Sequence, residues 1–388
     1  KKNKITDFNL NLNLTKTKFK LTPLNYKKKE NSKFLFNING NYHDNKKLII
    51  NNFSILEDKN KIILKNLVLG KNNLIIQVDE IKFDYIDTEN KINKLTIKML
   101  DKYNYEVNGL LYNANTLITK LLSSENNLIK KIFKNNISLN LNIEEVFIDE
   151  LYFVKNLEGN LFIKNNKVNS ANFSANFKNK DNITFTIKTD DIGNKITTLS
   201  SSWAKPLVNR YKFIKGFDEG NLDFVSYKQG GKSESKLIID NFKVKEIPAL
   251  AKLLSLASLQ GIADLLTGEG LRFTDFEMNF TNEKNLIRVK EIYAIGPSIS
   301  ILLEGYVEKD KLISLRGTLV PATTINRTIS SIPLIGDLLV GKKAGEGVFG
   351  VSFKVKGPPE DLATTVNPIK TLTPRFITRT IEKIKKIN

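Results

Sequence analysis

Apolar residues recur at every second position along much of this chain, and this pattern constrains the fold more than any other feature. Phe8, Leu10, Leu12 and Leu14 alternate with polar residues, and runs at 139–143, 173–177 and 274–280 do the same. A period of two turns one side of each segment toward apolar material and the other toward water. Short polar breaks such as KNNK (164–167) separate the runs. The sequence therefore predicts an all-β fold of antiparallel strands with one solvated face.

Four stretches break the alternation and predict short amphipathic helices: 115–136, 247–266, 325–339 and 375–387. The second stretch is apolar almost all round. We expect two helices hinged near Gly261 that are buried against a sheet or touch a bilayer edge, because Lys252 and Asp264 disfavour a transmembrane position. The last stretch predicts a membrane-surface or partner-docking helix, with a solvated terminal helix as the alternative. Its apolar stripe and basic flanks are Ile377, Ile381, Ile384, Arg375, Arg379, Lys383, Lys385 and Lys386.

The residues that most enzymes need are scarce here. The chain of 388 residues has no Cys and one His, His43, which excludes thiolate zinc sites and cysteine nucleophiles. GEGVFG (345–350) matches a dinucleotide fingerprint, but an apparent helix precedes it and a strand follows, the reverse of what a phosphate site requires. Adjacent carboxylates such as Glu144 and Glu145 are typical of solvated turns. We therefore predict a protein that is not an enzyme, with no catalytic residues, no cofactor and no metal site.

The net charge of +19 comes mostly from lysine, since only seven of the 60 basic residues are arginine. Lys, Asn and Ile share AT-rich codons, so a low-GC genome accounts for much of this bias. Arginine is the usual residue for recognising phosphate and bases in bidentate fashion. The composition favours solvated basic faces over a nucleic-acid groove, and nucleic acid is not an expected partner.

Several blocks in the second half resemble the C-terminal region of the AsmA-like superfamily of Gram-negative envelope proteins, especially its YhdP-like branch. The resemblance covers about residues 240–388. Its blocks are LLTGEGLRFTDFEMNF (265–280), IGPSISILLEGYV (295–307), RGTLVPA (316–322), IPLIGDLLVGKKAGEGVFGVSFKVKGP (332–358) and VNPIKTLTPRF (366–376). We therefore expect a strand-repeat region with the helical insert over 1–240 and an AsmA-like region over 241–388.

This resemblance implies an elongated, curved sheet with an apolar groove that conducts phospholipid between the inner and outer membranes. It also implies a periplasmic location, with an inner-membrane anchor outside this chain, which starts at Lys1 and not at Met. Expected partners are phospholipids, membrane surfaces and envelope proteins. The predicted lipid-contacting residues are Phe173, Phe177, Phe185, Ile187, Phe276, Met278, Phe280, Ile301, Leu303, Phe349, Val351, Phe353 and Val355. The alternative is a structural scaffold that docks envelope proteins through a sheet edge.

Overall fold

β-Strands make up 69% of the computed structural model. The structure describes residues 5–43, 47–122, 133–210, 216–245, 248–256, 268–309, 311–321, 350–359 and 361–369. The chain forms two compact units, which we call unit 1 (Lys1–Asp191) and unit 2 (Ile192–Asn388).

Unit 1 contains fourteen described strands and one described α-helix, α1 (Asn115–Leu122). Two of the strands, β2 and β3, form a separate two-stranded ribbon between β1 and β4. The strands are β1 (Ile5–Asn13), β2 (Lys20–Leu21), β3 (Tyr26–Lys27), β4 (Phe34–His43), β5 (Lys47–Glu57), β6 (Asn60–Leu69), β7 (Ile75–Gln77), β8 (Glu80–Ile86), β9 (Ile92–Asp101), β10 (Asn104–Asn113), β11 (Ile137–Phe147), β12 (Phe153–Lys164), β13 (Lys167–Asn176) and β14 (Asn182–Thr189).

The main sheet of unit 1 is an antiparallel meander with one exception. β1 pairs with β4, and pairing then follows chain order from β4 to β14, with β8 taking the place beside β6. β10 and β11 are parallel. Parallel neighbours need a crossover of a dozen or more residues, and the connection between β10 and β11 is long enough for one. The predicted helical insert (115–136) lies in this connection. Its first part is α1, 123–132 lies outside the described residues, and 133–136 is not helical.

Asparagine has a clear structural role in the turns. Ten of the fifteen described non-glycine residues with positive φ are Asn, including Asn90 at a tight connection and the Asn165–Asn166 pair between β12 and β13. Asn tolerates the left-handed region better than other residues with a Cβ. The Asn-rich composition therefore suits a chain that must turn after almost every strand.

Unit 2 repeats the antiparallel meander with nine described strands. They are β15 (Lys195–Ser201), β16 (Asp218–Gln229), β17 (Lys232–Val244), β18 (Leu271–Glu283), β19 (Leu286–Ile295), β20 (Ile299–Glu308), β21 (Leu312–Pro321), β22 (Gly350–Gly357) and β23 (Ala363–Ile369). Two described helices accompany them, α2 (Lys205–Val208) and α3 (Pro248–Leu256).

The predicted fold class, an antiparallel β-fold with a few short helices, is confirmed. α3 occupies the first part of the predicted 247–266 helical stretch, and 257–267 lies outside the described residues, as do 325–339 and 375–387. The boundary between the two units lies between Asp191 and Ile192. Residue 240, the predicted limit of the AsmA-like region, lies within β17.

Candidate functional site

One face of the unit 1 sheet carries a continuous row of apolar residues across eleven strands. Cross-strand partners in a sheet share a face, so the register can be followed from each strand to the next. Ten of the eleven positions are apolar side chains and the other is glycine. The row is Leu10, Ile38, Phe53, Leu64, Ile81, Ile97, Val107, Leu141, Gly159, Phe173 and Phe185.

Parallel rows on either side widen this surface, which we call the unit 1 apolar face. One flanking row includes Phe36, Ile55, Ile62 and Phe83. Eleven strands about 4.8 Å apart and three rows about 7 Å apart give the face an area on the order of 600 Å².

The opposite face of unit 1 is polar along the same strands. Its rows are composed mainly of Asn, Thr, Ser, Lys and Glu, with aliphatic exceptions that include Ile63, Leu35 and Leu56. Charges there are partly paired, as in the Lys65–Glu80 bridge at 2.8 Å. The sheet therefore separates an apolar side from a water-facing side.

The central row of the unit 1 apolar face is half-buried along most of its length. Only Leu10, on the edge strand, is exposed, at 44%, and only Val107 is fully buried among the row's side chains. In the described part of the chain, no α-helix shares a buried cluster with this row.

Residues 14–33 close one end of this face, and we call them the cap. The cap contains β2 and β3, and its Phe19, Leu21 and Leu24 pack onto a buried cluster. At the centre of that cluster Tyr26 is 1% exposed and packs edge-on against Tyr85, with ring centroids 5.7 Å apart. One end of the face is thus filled by the protein's own side chains.

A buried carboxylate fastens the cap to the sheet. Glu57 is 0% exposed. It accepts hydrogen bonds from the hydroxyls of Tyr26 and Ser32, from the Lys29 backbone N–H at 2.7 Å and from Asn60 at 3.2 Å. Burial pushes the pKa of Glu57 upward, but these four donors outweigh it, so its pKa is lowered. The same contact and burial raise the pKa of the Tyr26 phenol.

A second polar network lies at the same end of the strands. Glu89 accepts hydrogen bonds from Asn113 at 3.0 Å, from Asn115 at 3.1 Å and from Thr116 at 3.0 Å. Burial raises its pKa, but the three donors prevail and the pKa is lowered. The network ties the start of α1 to the β8–β9 turn. It reaches the cap through Thr88, which donates to the side chain of Asn25 at 2.7 Å.

Unit 2 also has one apolar face, formed by the same kind of register. Two adjacent rows cross its sheet. The first contains Leu222, Ile239, Phe276, Ala294, Ile301, Leu319 and Val351, and the second contains Leu199, Phe224, Leu237, Met278, Ile292, Leu303, Phe353 and Val366. We call this surface the unit 2 apolar face.

Helix α3 covers part of the unit 2 apolar face. Its Leu253 and Leu254 are 1% and 0% exposed and belong to one buried cluster with Ile301, Leu319 and other face residues. α3 also lies against β23. Face residues outside this contact, such as Leu237, stay half-buried.

The structure brings the described lipid-contact candidates onto these two faces. In unit 1, Phe173 and Phe185 stack with centroids 6.2 Å apart, and Ile187 lies one row away. Phe177 follows β13 and is 2% exposed. In unit 2, Phe276, Met278, Phe280, Leu303 and Val351 are half-buried, whereas Ile301, Phe353 and Val355 are buried.

Phe349 and the C-terminal residues Ile377, Ile381, Ile384, Arg375, Arg379, Lys383, Lys385 and Lys386 lie outside the described residues. Most of the central row of unit 1 was not predicted from the sequence; the unpredicted residues include Ile38, Phe53, Leu64, Ile81 and Ile97. Alternation in FLFNINGNYH (34–43) was the available signal. It gives the face of each strand and does not give the strand's neighbours.

A shallow groove of ≈ 500 Å³ lies on the polar face of β19–β23. Its lining mixes charges of both signs, and Arg316 pairs with Glu304 at 2.9 Å. Such compensated charge offers no strong preference for a ligand of either sign.

Comparisons with known proteins find no match, whether with protein-family models, with curated proteins or with solved structures. Among the described helices, none has the length and apolar character needed to cross a membrane. Within the described ranges, His, Asp and Glu side chains do not gather in groups of three or more that could hold a metal ion.

Proposed function

We propose that this protein binds phospholipid on its apolar sheet faces, with acyl chains against the rows and head groups toward water, and that it conducts lipid without chemical conversion. The unit 1 apolar face is the observation that carries this proposal. Its footprint is on the order of 600 Å². Some of its residues, such as Ile55 and Ile62, are buried, but most of its central row is only half-buried and so keeps apolar surface in contact with water. Each acyl CH₂ buried there contributes about 0.8 kcal/mol.

Half-burial favours a mobile apolar ligand over a fixed protein partner. A permanent partner sheet would bury the face on which it packs, whereas most of the central row is only half-buried. A flexible chain such as an acyl tail fits a half-buried, chemically uniform strip. The uniformity along eleven strands also gives no preferred stopping point, which suits movement along the row.

The resemblance to AsmA-like proteins supports the cellular setting. We propose a periplasmic protein that connects inner and outer membranes and is anchored by a segment outside this chain. The second candidate function, an envelope scaffold, is favoured by β1. This edge strand exposes Leu10 and Leu12 at 44% and 37% and contains no lysine, so it lacks a common protection against edge pairing.

Photo-crosslinking at two adjacent positions of β6 tests lipid binding. Leu64 and Ile63 are both half-buried aliphatic residues, but they lie on opposite faces. A photoreactive residue at position 64 should capture phospholipid in cells, and one at position 63 should not. Equal capture at both positions would refute lipid binding on the unit 1 apolar face. Phe276 and Asp275 form the corresponding pair in unit 2.

A further inference from the structure

The outer side of the cap is strongly basic. Six lysines of residues 14–33 are exposed, and Glu30 is the only acidic residue in the same segment. Among the described residues, none of the six forms an ion pair, although lysines elsewhere in unit 1 pair with glutamates. The exposed lysines are Lys16, Lys18, Lys20, Lys27, Lys29 and Lys33. The cap therefore presents a large excess of positive charge next to one end of an apolar face, against the acidic Glu30 and the nearby Asp58.

The cap backbone holds these lysines in a defined arrangement. Lys28 is 5% exposed, and its ammonium group donates to the carbonyls of Thr15 at 2.7 Å and Lys29 at 3.0 Å. Glu57 binds the Lys29 backbone N–H from below. Fixed charges lose less conformational freedom on binding than charges on a free loop.

Exposed aliphatic side chains occur at the same end of the strands. Leu151, in the β11–β12 turn, is 78% exposed, and the cross-strand partners Ile86 and Ile92 are 43% and 45% exposed. Lysines combined with protruding aliphatic residues are typical of surfaces that rest on the interface of an anionic bilayer. Single-stranded nucleic acid would instead require exposed aromatic side chains for stacking, and Tyr26 of the cap is buried.

We propose that the cap docks unit 1 on an anionic lipid bilayer. The inference rests on the proposed lipid-binding function and specifies the kind of membrane with which it works. Lysines on the cap meet the head-group phosphates, and the side chains of the cap fill the adjoining end of the apolar face. A lipid that leaves the bilayer therefore has to reach the half-buried positions beyond the part of the face that the cap fills.

Vesicle flotation of the full chain tests the proposal. The cap variant is Lys16→Gln/Lys18→Gln/Lys20→Gln, and the matched control is Lys71→Gln/Lys164→Gln/Lys167→Gln. The control removes the same charge from exposed lysines at the other end of the strands. With vesicles of phosphatidylcholine mixed with phosphatidylglycerol, each cap lysine should contribute about fivefold to partitioning, the equivalent of about 1 kcal/mol.

The cap variant should therefore bind these vesicles about 100-fold more weakly, and the control should bind like the wild type. Wild-type binding should fall steeply with salt and be much weaker on pure phosphatidylcholine. Equal binding by the cap variant and the control would overturn the proposal. Cap-dependent retention on heparin without vesicle binding would also overturn it, because the segment would then recognise another polyanion.

Mass spectrometry of bound lipid separates this proposal from the proposed function. If the cap variant binds vesicles as well as the wild type and carries as much lipid as the wild type, cap docking is refuted, but the proposed function is not. Absence of lipid in the wild-type chain, together with no capture at position 64, would refute the proposed function itself.

Discussion

A charge at the centre of the unit 1 row should interrupt lipid movement along it. Ile97 is the sixth of the eleven positions, half-buried between Ile81 on β8 and Val107 on β10. Ile97→Asp places a carboxylate where an acyl chain would contact the face. The lipid must then lift away from the sheet or leave the carboxylate desolvated, and the second alternative is far more costly.

The size of the effect follows from the contact that is lost. If about four CH₂ groups lift off the face at about 0.8 kcal/mol each, the barrier at this point rises by about 3 kcal/mol. That corresponds to a passage rate about 100-fold slower. Because Ile97 is only half-buried, the free energy of unfolding should fall by about 1–2 kcal/mol, and the variant should remain folded.

Thr96→Asp is the matched control, since Thr96 is also half-buried and lies next to Ile97 on the opposite, polar face. The assay is transfer of a fluorescent phospholipid between donor and acceptor vesicles, with circular dichroism to confirm folding. We expect Ile97→Asp to reduce transfer about 100-fold and Thr96→Asp to leave it unchanged. A folded Ile97→Asp protein that transfers lipid at the wild-type rate would refute conduction along this row.

Three further predictions concern stability and can be checked by urea unfolding. Glu57→Gln should lower the free energy of unfolding by about 2–3 kcal/mol at neutral pH. Because the pKa of Glu57 is lower in the folded state, its contribution to the free energy of unfolding is complete above its unfolded-state pKa of about 4.5. That contribution is lost as the pH falls from there through the folded-state pKa. Wild-type and Glu57→Gln proteins that lost stability equally between neutral and acid pH would contradict this. Leu254→Ala should cost about 2–5 kcal/mol, because it leaves a cavity beneath α3, and a loss below that range would mean that α3 is not firmly packed. Gly159→Ala should cost about 1–3 kcal/mol, because φ there is +153° and a Cβ would lie 2.0 Å from the Asn172 carbonyl oxygen; unchanged stability would show that β12 and β13 are not this close.

Period-two patterning was sufficient to predict the fold class and the face of individual strands. Leu139, Leu141 and Ile143 lie on the unit 1 apolar face as their spacing indicates. The alternation of apolar and polar residues does not predict which strands are neighbours in the sheet, because neighbours are set by pairing between residues far apart in the sequence. The parallel β10–β11 pair shows this limit, since its direction depends on the crossover through α1.

The same limit explains why the candidate site was only partly identified. Phe353 and Leu303 have the same alternating surroundings in the sequence, yet one is buried and the other half-buried. The difference arises from where α3 lies on the unit 2 sheet, and helix docking has no signature in strand patterning. The acceptor role of Glu57 was equally hidden, because three of its four donors belong to the cap, 25 to 31 residues earlier in the chain.

The protein's own side chains cover the two apolar faces to different degrees, so we expect the two faces to bind different amounts of lipid. In unit 2 the leucines of α3 already cover part of the face. A ligand can therefore contact only the remaining half-buried positions, such as Phe276 and Leu303. In unit 1 the cap closes one end and leaves the central row half-buried across the strands. Because bound lipid scales with apolar contact, unit 1 should hold more acyl chain than unit 2. Crosslinking yield at position 64 should accordingly exceed that at position 276, and the reverse order would mean that α3 leaves the unit 2 apolar face to admit lipid.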